Sequence, residues 1–218
     1  MQTPNTSKIA IIGLGNIGQV VAKNLTKNNR AVIVADRNIA KANSLALQLG
    51  DLAKPATIGD AIREADIVVV AVWFAAIKEV FYQYEGLLQG KIIIDPSNPI
   101  APNAQGGFDK IIGEHESAGQ INASILPKDA KLAKALGTLG AASLANAANQ
   151  QPDAAVLFYA TDDIRINEAV EQLIRDNGFE PVRIGGLEQS IRIEVFGDLH
   201  ELGALGKTVT VNEAKLSI

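Results

Sequence analysis

The segment Gly13-Leu14-Gly15-Asn16-Ile17-Gly18 constrains this chain more than any other. It follows a continuous β-branched run, Lys8 to Ile12, and opens an amphipathic stretch, Asn16 to Asn28, whose Ile17, Val20, Val21, Ala22 and Leu25 share one side. A second apolar run, Ala31 to Ala35, ends in Asp36, about 20 residues after the last glycine. Strand, glycine turn, helix, strand and terminal acid form a βαβ unit built to receive a dinucleotide. Gly13 permits the tight turn, Gly15 lets the backbone approach a pyrophosphate, and Gly18 lets helix and strand pack closely. The helix N-terminus then offers free N–H groups to the anion.

The rest of the chain keeps the same alternation. Ile39 to Leu49 reads as a helix stopped by Gly50, Ala56 to Ile58 as a third strand, and Gly59 to Ala65 as a short helix. Ile67 to Val72 and Lys91 to Asp95 read as strands four and five around a helix over Ala75 to Leu88. A long loop rich in proline and glycine follows Asp95. Leu132 to Thr138 reads as a sixth strand, and Gly140 to Ala148 as a small-residue helix or loop. Val156 to Ala160, Asp162 to Asp176 and Val182 to Ile184 read as strand, capped helix and strand, and Leu187 to Leu202 as the last helix. No element is assigned over 207–218. The fold class is α/β: a Rossmann-type doubly wound, mostly parallel sheet extended by a small C-terminal α/β part. The expected organisation is a dinucleotide-binding domain over 8–125 and a substrate-side extension over 126–218, packed as one unit.

Composition closes several alternatives. The sequence has no cysteine, which excludes disulfides, thiolate metal sites and a cysteine nucleophile. A net charge of −4 argues against nucleic acid as the principal partner. Met1 to Ser7 is polar, and no apolar run approaches the ~20 residues of a membrane helix, so the expectation is a cytoplasmic protein with no membrane partner. Gly203 to Thr208 ends like a phosphate loop but lacks the leading glycine and a preceding strand. His115 and His200 read as surface residues without ligand spacing, so no metal site is assigned. Asp162-Asp163 reads as a helix cap. The sequons at Asn5, Asn24 and Asn122 are idle without secretion.

At the candidate site, Asp36-Arg37 argues both ways: a carboxylate accepts from the ribose 2′-OH of NAD, and an arginine pairs with the 2′-phosphate of NADP. Lys41, four residues on, reaches the same phosphate if the helix starts between them. Val72, Trp73 and Ala76, at the end of strand four and the start of the next helix, wall the cofactor pocket or pack plainly. Ser97 and Asn98, between Pro96 and Pro99, either contact the nicotinamide end or cap backbone groups.

The chain resembles a known family, the short oxidoreductases typified by NADPH-dependent coenzyme F420 reductases. The resemblance rests on Gly13 to Gly18, Ala35-Asp36-Arg37 with Lys41, and Ile94 to Pro99. It continues through Ala160 to Asp163, Asn177 to Val182 and Gly185 to Leu187. It implies that the backbone of Leu14 to Ile17 holds the nucleotide and that Arg37 and Lys41 hold the 2′-phosphate. Asp36 stands where the family has serine, Trp73 where it has proline, and Leu136-Gly137 where it has Phe-Asn. The implied activity is hydride transfer between NADP(H), with NAD as the other candidate, and a deazaflavin or flavin. No catalytic acid or base is assigned. The alternatives are a non-catalytic dinucleotide sensor, with Trp73 filling the acceptor crevice, and a small-substrate dehydrogenase. The chain is too short for the helical substrate domain that the dehydrogenase would add. A homodimer through the C-terminal helix is expected.

Overall fold

The computed structural model describes residues 7–218. Residues 1–6, with most of the polar N-terminal stretch and the Asn5 sequon, lie outside the described residues. Ten strands and nine α-helices are described. β1 is Ile9–Ile12, β2 Val32–Ala35, β3 Ala53–Pro55, β4 Ile67–Val70 and β5 Ile92–Asp95. β6 is Ile100–Pro102, β7 Phe108–Lys110, β8 Lys131–Lys134, β9 Val156–Ala160 and β10 Glu180–Gly185. The helices are α1 Asn16–Lys27, α2 Ile39–Leu49, α3 Ile58–Glu64, α4 Phe74–Gln83 and α5 Glu85–Leu88, then α6 Ala118–Ser124, α7 Ala141–Asn146, α8 Asn167–Asp176 and α9 Val211–Ala214.

Eight strands form one sheet in the order β10-β9-β8-β5-β4-β1-β2-β3. From β3 to β8 every pairing is parallel. β9 then runs antiparallel to β8 through Lys134 and Ala160, and β10 runs parallel to β9. This is the Rossmann-type order, with its reversal point between β1 and β4, extended by a C-terminal pair. β1, β2 and β4 are buried at every residue, as parallel strands covered on both faces must be. Alternation sorts their side chains: Ile9, Ile11, Val32, Val34, Ile67 and Val69 pack under α1, α2, α7 and α8. Ala10, Ile12, Ile33, Val68 and Val70 pack under α3, α4 and α5. A third cluster joins Val156 and Phe158 to Leu199, Val209 and Ala214 near the C-terminus.

Four parts of the sequence reading need correction. The third strand lies at 53–55 rather than 56–58, because the Thr57 hydroxyl accepts from the Asp60 N–H at 3.2 Å and starts α3 at Ile58. The helix over 75–88 is interrupted at Tyr84. The loop after Asp95 contains the antiparallel β6–β7 hairpin and α6. Its turn is built by Asn103, whose side-chain oxygen accepts from Gln105 N and Gly107 N at 3.2 and 2.8 Å. Finally, 187–202 is not an α-helix. A 3₁₀ turn, Leu187–Arg192, is followed by irregular turns, because the Val195 N–H is taken by Asn98 Oδ1 at 2.7 Å and Phe196 adopts a positive φ of 73°. The helix on which the dimer expectation rested is therefore absent among the described residues. None of the described helices is long and apolar enough to cross a membrane.

Candidate cofactor site

The glycine loop lies at the carboxyl ends of β1, β2 and β4. Gly13 has a φ of +89°, and a Cβ there would stand 2.5 Å from the Ala71 carbonyl oxygen and 2.8 Å from Val72 Cγ1. A Cβ on Gly18 would stand 2.0 Å from the Gly13 carbonyl oxygen. Both positions are closed to any side chain by backbone. Gly15 differs: it is the N-cap of α1, its φ is −74°, and a Cβ there meets nothing within 4 Å. No side chain caps the first turn of this helix, so its leading amides face the open space beside Gly15. Gln19 braces the loop by donating to the Leu14 carbonyl at 2.9 Å.

Asp36 also holds this loop. Its Oδ2 accepts from the Leu14 N–H and its Oδ1 from the Asn38 N–H, each at 2.9 Å. Asn38 in turn caps α2 by accepting from Ala40 N at 3.0 Å. Arg37 and Lys41 are exposed on either side of that cap and pair with no acidic group among the described residues. A phosphorylated dinucleotide fits this arrangement: open space and free amides for its pyrophosphate, and two unpaired cations beside α2 for a second phosphate.

At the end of β4, Val72 presses on Gly13 and packs partly buried against the sheet. Ala76 N donates to the Trp73 carbonyl at 2.8 Å in the first turn of α4. The Trp73 ring fills no crevice: it is 57% exposed and meets the Phe108 ring of the hairpin, with centroids 6.3 Å apart and planes tilted by 42°.

Beneath the loop after β5 lies a polar layer that the sequence did not disclose. The register pairs Asp95 with Lys134, both fully buried, and Asp95 Oδ2 stands 3.1 Å from Lys134 Nζ. Asp95 Oδ1 accepts from Ser97 N and Oδ2 from Asn122 Nδ2, each at 2.8 Å, while Lys134 also donates to the Ser97 carbonyl. Asn98 spends both ends of its amide within the protein, donating to the Gly137 carbonyl at 3.0 Å and accepting from Val195 N. Buried Glu194 accepts from the N–H groups of Ala118 and Gly119, each at 2.9 Å. Burial raises its carboxyl above the ordinary range, against the pull of Lys134 and those two amides.

His200, expected on the surface, is buried at 1% exposure, and its Nδ1 accepts from Leu202 N at 3.0 Å. Burial lowers its pKa, with Lys134 adding to the effect and Glu201 and the Gly137 backbone opposing it. His115 is exposed, as expected. Asp163 caps the 3₁₀ turn that leads into α8, and its neighbour Asp162 accepts from Leu187 N at 2.7 Å. No cluster of three or more metal-ligating side chains is present among the described residues. The sequence does show that Lys134 and Glu194 are charged. Their burial depends on a strand register and a C-terminal path that no local pattern encodes.

Comparison with known proteins bears on the first half of the chain and on the fold. Residues 8–99 match the family described as NADP oxidoreductase, coenzyme F420-dependent. A hypothetical protein from Sinorhizobium meliloti is 28% identical, with a TM-score of 0.81 over 94% of this chain and 96% of that one. A candidate F420-dependent NADP reductase from Arthrobacter sp. FB24 is 21% identical, with a TM-score of 0.73 over 84% of this chain and 87% of the other. A reductive aminase from Aspergillus terreus, solved with NADPH, shares the fold at 22% identity and a TM-score of 0.61, over 85% of this chain and 57% of its own. No curated protein matches the sequence. Over residues 8–99 the chain is thus similar to the family of coenzyme F420-dependent NADP oxidoreductases, and it shares its Rossmann-type fold with these solved structures.

Proposed function

We propose that this protein transfers a hydride between NADP(H) and a planar flavin or deazaflavin acceptor. The nicotinamide supplies the hydride: its C4–H bond breaks, NADPH becomes NADP⁺, and the acceptor ring gains two electrons and one proton, with solvent supplying the second proton. Such a ring spreads the incoming charge, so the protein's task is positioning, and a dedicated acid is not obligatory.

One observation carries this reading. Asp95, Lys134, Glu194 and His200, the ionisable side chains gathered around the β5 end, are buried and bonded to one another or to backbone. They are occupied in holding the Ser97-Asn98 loop and the segment around Val195. Reduction of a hydroxy acid's keto partner or of an imine asks for a proton donor at the reacting atom; reduction of a flavin does not. In this reading Leu14 to Ile17 bind the pyrophosphate and Arg37 and Lys41 the 2′-phosphate, while Val72 and Ala76 flank the nicotinamide half.

An assay following nicotinamide absorbance tests the proposal. The panel is riboflavin, FMN, a deazaflavin, a small hydroxy acid with NADP⁺, and a cyclic imine. Oxidation of NADPH with a flavin or deazaflavin above the protein-free rate is the expected result. Turnover confined to the hydroxy acid or the imine would overturn it.

A further inference from the structure

We propose that Trp73 and Phe108 form an aromatic platform that binds the planar ring of the second substrate. The inference rests on the function proposed above and names the surface that selects its acceptor. Neither ring is fully buried: Trp73 stands 57% exposed and Phe108 43%. They touch each other at 6.3 Å between centroids, and the 42° tilt leaves ring surface on both open to solvent. The Trp73 indole N–H has no acceptor among the described residues and is free to meet a ring carbonyl.

The two rings come from different elements that converge at one place. Trp73 directly follows Val72, whose side chain touches the position of Gly13, so the indole sits at the β4 side of the glycine loop. Phe108 comes from the hairpin that rises from the β5 loop, anchored by Ile100 N to the Asn98 carbonyl and Ile111 N to the Pro99 carbonyl, each at 2.9 Å. The pair therefore spans the carboxyl ends of β4 and β5, beside the space left for a dinucleotide. The hairpin is fixed rather than loose. Asn103 bonds Asp109 at 2.9 Å, and Lys110 donates to the carbonyls of Glu114 and Glu116 at 2.8 and 3.0 Å. Its charged groups are thus spent internally, and the Phe108 ring is what it presents. A preorganised aromatic pair with uncovered faces suits an electron-poor heteroaromatic ring, which gains from stacking without needing a charged partner.

The test uses riboflavin as the probe on protein saturated with NADP⁺. The sequence has one tryptophan, so quenching of intrinsic emission reports flavin arriving within transfer range of Trp73. Saturable quenching is expected in the wild type. Phe108→Ala should weaken flavin binding about tenfold, the scale of one lost ring-stacking contact, with the NADPH-induced thermal shift unchanged. With flavin emission as the readout, Trp73→Phe should keep binding and Trp73→Ala should lose it. Three outcomes overturn the platform. The first is wild-type flavin affinity in Phe108→Ala and Trp73→Ala with flavin turnover intact, which leaves the proposed function standing. The second is a Trp73→Ala variant that loses NADPH stabilisation as fully as flavin, which assigns the indole to the cofactor. The third is a wild type that neither binds nor reduces any flavin or deazaflavin, which removes the proposed function as well.

Discussion

The three glycines of the loop predict three different phenotypes. Side chains at Gly13 and Gly18 would meet backbone carbonyl oxygens at 2.5 and 2.0 Å, so Gly13→Ala and Gly18→Ala should lower the melting temperature whether or not ligand is present. Gly15 has open space and an unexceptional φ, so Gly15→Val should fold like the wild type and lose the NADPH-induced thermal shift. A folded Gly15→Val protein that NADPH still stabilises would remove the pyrophosphate from this loop. At the neighbouring site, Arg37→Ala should weaken NADPH roughly tenfold or more and NADH much less, because only the phosphorylated cofactor offers a dianion to the guanidinium. Asp36→Ser removes an anion from the same region and also the bond to Leu14 N, so it should raise the ratio of NADPH to NADH affinity while lowering thermal stability. Titrating both cofactors against both variants at two salt concentrations checks this, since the exposed cations should lose part of their effect as salt rises.

Among the elements, β5 and β8 carry the most at risk. Lys134→Met would leave Asp95 as an uncompensated buried charge and should cost about 3–5 kcal/mol in urea unfolding. The double variant Asp95→Asn with Lys134→Met should recover part of that loss, since Asp95 no longer carries a charge without its partner, while Glu194 lacks the pull of Lys134 in both variants. The turn carrying His200 makes stability depend on pH. Burial holds this pKa below its ordinary value near 6.5, so the neutral ring is the native form and its Nδ1 is needed as an acceptor for Leu202 N. Its contribution is complete above 6.5 and is lost as pH falls through the native pKa. Glu194, with its pKa raised above 4.5, has the opposite slope between that value and its native one. His200→Asn keeps an acceptor for Leu202 and should remove the acid-side loss that begins near 6.5, as followed by thermal melts across pH. These groups also mark where sequence reading stops. β1, α1, β2 and α2 were legible because buried runs, a glycine turn and the stop at Gly50 are local signals. The 3₁₀ turn at 187–192 and the irregular path after it were not, because an apolar spacing suited to a helix lost to Asn98, almost 100 residues away, which captures the Val195 N–H.

In the whole molecule, the order β3-β2-β1-β4-β5-β8 sets the glycine loop, the β4–α4 turn and the Ser97-Asn98 loop along one edge, where open α/β sheets place ligands. Alternation along the chain makes that edge legible in the sequence. What was not legible is what stands over it: the β6–β7 hairpin lay hidden in a proline-rich stretch, and the meeting of Trp73 with Phe108 depends on its tilt. The C-terminal pair β9 and β10 lengthens the sheet on the β8 side and leaves the β4–β1 reversal point open. In the proposed function cofactor and acceptor therefore meet at one edge, and the hydride passes directly between two rings. Deuterium at C4 of NADPH tests this most directly. When the protein is mixed anaerobically with labelled NADPH and a deazaflavin, whose accepting carbon retains what it receives, mass spectrometry of the reduced ring should show the label for one of the two C4 epimers of NADPH and not the other. A reduced deazaflavin without label from either epimer, or no reduction at all while a hydroxy acid or imine turns over, would contradict the account.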